Sequence, residues 1–189
     1  MNSSKLFYLV VVFWLLIFSG FIAYREYTLQ TGREVLLKTV PVDPRDLFRG
    51  DYVTLRYDIS TLNLSDGPAE DANYMNYTNN ARIYLALQLK DGYGAPKKLY
   101  KNPPGGELFI KGRAKGITYE RSRDNASMLP VHRLRVEYGI ESYFLPEGLG
   151  GEIERQRRDD KKIDVLIAVD RFGNAAIKKI LIDGNESKY

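Results

Sequence analysis

From Leu6 to Tyr24 the chain reads LFYLVVVFWLLIFSGFIAY, without a charged side chain. Nineteen residues at a helical rise of about 1.5 Å make about 28 Å, close to the hydrocarbon thickness of a bilayer. A helix pairs its backbone polar groups internally, so a run of this kind crosses lipid as a helix and not as a lone strand. Tyr8 near one end and Tyr24 and Tyr27 near the other suit the headgroup layer, and Trp14 lies mid-span. The rival reading is a cleaved signal peptide. Its apolar region would be shorter, and a cut after Ala23 would put the bulky Phe21 where small residues are preferred. The expectation is an uncleaved anchor that places residues 6–24 in the lipid bilayer.

Orientation follows from layout more than from charge. The leading stub carries Lys5 and no acid, whereas the trailing flank mixes Arg25 and Arg33 with Glu26 and Glu34. Basic residues alone favour the far flank slightly. A five-residue stub before a long domain is nevertheless the layout of a signal anchor, with a cytoplasmic N-terminus and an extracytoplasmic domain.

About 165 residues follow the span, enough to bury a core without staples. The chain has no cysteine, which excludes disulfides, thiol nucleophiles and thiolate metal sites. One histidine, His132, excludes an imidazole-rich zinc centre. The net charge of +4 is small and dispersed, so no nucleic-acid partner is expected. Neither an EF-hand spacing nor a dinucleotide or phosphate-loop glycine pattern is present, and no cofactor or metal is expected.

Beyond the span the pattern predicts a mainly β fold, with α+β as the alternative: one antiparallel domain of six or seven strands and one short helix. The boundaries are a stub at 1–5, the anchor at 6–24, a juxtamembrane linker at 25–34, the domain at 35–184 and a tail at 185–189. Val35 to Leu37, followed by Thr39 and Val40, suit a first strand. Asp43 and Pro44 begin a helical turn that Gly50 ends. In residues 51–59, Val53, Leu55, Tyr57 and Ile59 alternate with Tyr52, Thr54, Arg56 and Asp58, which predicts a half-buried strand. Residues 61–80 read as a long polar loop. Arg82–Gln88, Glu107–Arg113 and His132–Tyr138 read as strands, and residues 147–160 as a mixed-charge helix. Ile163–Val169 and Ala175–Ile182 form a closing hairpin around the loop Asp170–Asn174.

Two segments are dense in chemistry-bearing side chains. In Pro44–Tyr57, Arg49 and Asp51 flank Gly50 at the mouth of a strand, where a loop backbone and opposite charges could meet a polar ligand. The structural alternative is that Gly50 permits the turn, Asp51 caps it and Arg56 pairs nearby. In Tyr138–Gly148, Tyr143 and Phe144 point oppositely if extended, one to the core and one to a partner. Asp51, Asp58, Glu141 and Glu147 are the carboxylates to test as an acid/base pair. Ser127-Met128-Leu129-Pro130 superficially resembles the nucleophile segment of membrane-anchored signal peptidases, with Lys111 or Lys115 as the base. In those enzymes the serine precedes the Gly-Asp strand, whereas here it follows by over seventy residues. Glycosylation sequons begin at Asn63, Asn76, Asn125 and Asn185.

Gly50-Asp51-Tyr52-Val53-Thr54-Leu55-Arg56-Tyr57 resembles the GDYXXLXY domain family at every fixed position, and residues 138–148 with the closing hairpin are similar to its second half. The resemblance covers roughly residues 30–184. It implies a small, mostly bacterial type of protein with one N-terminal membrane segment and no assigned activity, often encoded near multi-spanning membrane proteins. A multi-spanning membrane protein is therefore the partner it implies. No catalytic residue is implied: Gly50, Asp51, Tyr52, Leu55 and Tyr57 carry over as motif positions only. The expected function is a membrane-anchored extracytoplasmic accessory or interaction domain for a membrane protein or envelope component, with Arg49, Arg56, Glu141 and Tyr143 added to the motif as interaction residues. The alternative is a tethered hydrolase.

Overall fold

The computed structural model describes residues 3–40, 52–64, 79–120, 131–144 and 162–186. Helix α1 (Ser3–Thr31) is exposed along nearly all of its apolar length. The segment is apolar on all sides and no protein packs around it, which suits lipid as solvent. It is a single-pass membrane anchor. The helix does not stop at residue 24 but continues through the charged stretch to Thr31. Among the described residues this is the one candidate membrane-spanning helix. That finding corrects the expectation of a multi-spanning membrane protein as partner: one such helix is found, not several.

Helix α1 passes into β1 (Arg33–Lys38) through Gly32 alone. A Cβ on Gly32 would lie 2.5 Å from the Thr28 carbonyl oxygen and 2.9 Å from the Val169 nitrogen, so only glycine permits this turn. The rest is mostly strand: β2 (Tyr52–Thr54), β3 (Thr61–Asn63), β4 (Arg82–Lys90), β5 (Tyr93–Tyr100), β6 (Phe109–Glu120), β7 (Val131–Glu137), β8 (Ser142–Phe144), β9 (Ile163–Val169), β10 (Ala175–Ile182) and β11 (Asn185–Glu186). Nine strands form one open sheet in the order β11-β10-β9-β1-β5-β4-β6-β7-β3, and β2 pairs with β8 as a separate ribbon. Among the described residues the pairings are antiparallel except β1 with β5.

The expected hairpin of β9 and β10 forms with the expected ends. Leu134, Val136 and Tyr138 are buried together, as their alternation requires. Ile83 to Leu87 are buried in succession, because the middle of β4 is covered on both faces. Ile83, Leu85 and Leu87 join the main core, and Tyr84 meets Phe109 edge-to-face at 5.8 Å.

Three expectations change. The strand expected over 51–59 is paired as a strand only over Tyr52–Thr54. The chain then changes partners: Leu55 N–H donates to the Glu141 carbonyl (2.7 Å), the Arg56 carbonyl accepts from Val40 N–H (2.9 Å), and Tyr57 bridges Thr39. Residues 58–60 close as a 3-10 turn. Secondly, the start of the supposed loop 61–80 is β3, an edge strand on β7. Thirdly, β5 (YGAPKKLY) is a strand where none is expected. Its Gly94 lies where a Cβ would be 2.5 Å from Val35 Cγ1, and Pro96 falls at an irregularity in the pairing with β4. The helical turn after Asp43 and the helix at 147–160 lie outside the described residues.

Candidate functional site

The family-defining segment is held by two tyrosines that each reach across to a backbone carbonyl. Tyr57 and Tyr138 are both buried. The Tyr57 hydroxyl donates to the Ile140 carbonyl (2.6 Å), and the Tyr138 hydroxyl donates to the Ile59 carbonyl (2.7 Å). Residues 57–59 and 138–140 are thereby cross-bonded in both directions. Burial, reinforced by the negative charge of Glu141, pushes both phenols well above their usual range. Each therefore remains a proton donor.

Glu141 organises the same crossing. Its Oε1 accepts from Tyr138 N–H (2.5 Å), its Oε2 accepts from Gly139 N–H (2.8 Å), and its own carbonyl accepts from Leu55 N–H. A carboxylate so occupied closes a turn, and neither oxygen is held out as a base. The next two side chains separate. Tyr143 is half-buried against the core, whereas Phe144 is 76% exposed.

Beside this crossing lies a cleft of about 180 Å³ lined by Thr54, Leu55, Arg56, Ser60, Thr61, Arg135, Val136, Glu137 and Glu141. Its two arginines, Arg56 and Arg135, have exposed side chains. Glu137 is paired with Lys115 at 2.9 Å, and Ser60 Oγ accepts from Tyr57 N–H at 3.2 Å. Thr54 pairs with Ser142 and Tyr52 with Phe144 across the ribbon. Paired residues share a face and alternate positions repeat it, so Phe144 and Thr54 stand on one face of the ribbon, and Thr54 also lines the cleft.

Of the anticipated site residues, Leu55, Arg56 and Glu141 meet at this cleft. Tyr57 lies beneath it as a buried strut, and Tyr143 packs on the core. Tyr52 is placed by its backbone in β2. Arg49, Gly50 and Asp51 lie outside the described residues, as do Ser127 and Glu147. Asp58 is exposed in the 3-10 turn and does not line the cleft with Glu141. Both lysines considered as bases are engaged, Lys111 with Asn174 Oδ1 and Lys115 with Glu137.

Two polar clusters were not anticipated. In the first, buried Asp164 accepts from the Tyr93 hydroxyl (2.7 Å) and pairs with Lys162 (3.3 Å). The ammonium groups of Lys38 and Lys162 both stand over the Tyr93 ring, at 4.6 and 4.5 Å from its centroid. The second joins α1 to the β9–β10 loop. Buried Asp170 accepts from Thr28 Oγ1 (3.1 Å) and from the backbone of Phe172 (2.8 Å) and Asn174 (2.9 Å). Asn174 Nδ2 reaches the Tyr24 hydroxyl (2.6 Å), and Arg25 donates to the Ala175 carbonyl (2.9 Å). Burial pushes the Asp170 carboxyl up, but its hydrogen bonds from Asn174, Phe172 and Thr28 outweigh this and hold it below its usual value. The sequence signal was an aspartate opening a five-residue turn, which reads as local capping. The contact across 142 residues to Thr28 leaves no periodic trace.

The family model described as GDYXXLXY protein matches residues 14–180. No curated protein and no solved structure matches the chain. A match that takes in part of the anchor, the tyrosine crossing and most of the closing hairpin shows that the chain belongs to the GDYXXLXY protein family.

Proposed function

We propose that this protein is a membrane-tethered interaction module that presents the motif ribbon and its adjoining cleft to an envelope component on the extracytoplasmic side. The observation that carries this reading is the pairing of an exposed aromatic, Phe144, with an arginine-lined cleft on one face of a ribbon braced by buried tyrosines. Aromatic residues, phenylalanine among them, and arginine are enriched at protein interfaces relative to the rest of the surface. The partner this face fits carries an acidic group for Arg56 and Arg135 beside an apolar group for Phe144. The engaged states of Glu141, Lys111 and Lys115 favour binding over hydrolysis.

The test is photo-crosslinking in intact membranes from benzoylphenylalanine placed at Phe144. The expected result is a discrete adduct that fades when Arg56→Ala and Arg135→Ala are combined. No adduct, or one indifferent to those substitutions and equally formed from a probe at Lys179, would remove the proposal. Protease digestion of sealed vesicles tests the side: the domain is accessible only from the extracytoplasmic face.

A further inference from the structure

We infer that the loop Arg171–Phe172 is a second membrane contact, seated in the lipid headgroup layer beside the exit of α1. The level of the loop is fixed by its hydrogen bonds. Asn174 reaches Tyr24, the last residue of the uncharged run, and Asp170 reaches Thr28 one helical turn further on. At about 1.5 Å per residue these attachment points lie about 6 Å apart along the helix. The loop is thus pinned alongside the turn where the helix leaves the hydrocarbon.

Phe172, between those two attachments, is 51% exposed. The Arg171 guanidinium carbon lies 4.7 Å from the Phe172 ring centroid. An aromatic ring with a basic group over its face suits the interface, where the ring meets acyl chains and the cation meets phosphate. Tyr24 and Tyr27, themselves exposed on the adjoining turns of α1, extend the same aromatic layer. The occupant is the bilayer that already holds α1, so the surface is continuous with the anchor. One helix alone leaves a domain free to tilt, and a second contact fixes its tilt. The inference does not depend on the proposed partner of the motif ribbon.

The chain has one tryptophan, Trp14, which permits a single-reporter test on the full chain in lipid nanodiscs. In a Trp14→Phe background, Phe172→Trp is compared with Glu186→Trp on the outermost strand. The expected result at position 172 is blue-shifted emission, quenched several-fold more strongly by lipids carrying a nitroxide near the headgroup than by lipids carrying it deep in the acyl chain. Position 186 should emit as in water and respond to neither. Adding anionic phosphatidylglycerol should deepen the reporter at 172, and Arg171→Gln should abolish that response. The chain lacks cysteine, so a spin label on Phe172→Cys provides the same depth reading without tryptophan. Water-like behaviour at 172, indistinguishable from 186 with both reporters, overturns the inference.

Discussion

Tyr57 explains why a tyrosine, and not phenylalanine, ends the motif. Its ring fills the core and its hydroxyl satisfies the Ile140 carbonyl, in a site where neither group meets water. Removing the oxygen strands a buried acceptor, which costs about 1–3 kcal/mol. Tyr57→Phe should therefore lower stability by that amount in denaturant titration, while leaving the secondary structure intact. Tyr138→Phe should do the same at Ile59, and the double variant should deviate from additivity because both bonds brace one crossing. The pH dependence has a definite sign. Both phenols are raised in the folded state, so their contribution is complete below the ordinary tyrosine value of 10.0 and declines as pH rises above it. Alkaline unfolding monitored by circular dichroism should accordingly be less steep in the double variant than in the parent.

The loop between β9 and β10 joins two elements that the sequence presents as unrelated, the anchor helix and the last hairpin. Asp170 is the central acceptor of that joint, and hydrogen bonds to a charged group contribute about 1.5–3 kcal/mol. Asp170→Ala should destabilise the protein by an amount in that range and increase the motion of α1 relative to the sheet, read as broadened distances between spin labels at Gln30 and Glu186. Its carboxyl is depressed in the folded state, so the joint is at full strength above 3.8 and weakens as pH falls below it. Strands whose side chains alternate or run apolar were legible in sequence: the closing hairpin, β7 and the centre of β4. Others were not, each for a physical reason. In β5, Gly94 and Pro96 serve a close approach and a pairing irregularity; β3 and β8 have three residues each, too short to show a period. At the site, the alternation of Leu55 and Tyr57 announced burial, but nothing local could reveal that Glu141 would cap its own turn or that Arg135 would face Arg56.

For the whole molecule the consequence is mechanical. A helix that crosses the bilayer, continues past it, turns at one glycine into a central strand and is held at its exit by a hairpin loop leaves no slack between membrane and domain. The sheet edge, the motif ribbon and the cleft are therefore carried at a set height above the lipid, which would give the proposed binding face a fixed reach. This depends on residues 6–24 staying in the bilayer and attached to the rest. The direct measurement is flotation of cell membranes through a high-salt density gradient without detergent, followed by the intact mass of the floated protein. The account predicts that the chain floats with the lipid and retains its apolar N-terminal segment. Recovery of the domain in the soluble fraction, either with that segment folded against it or with the segment cleaved away, would contradict it.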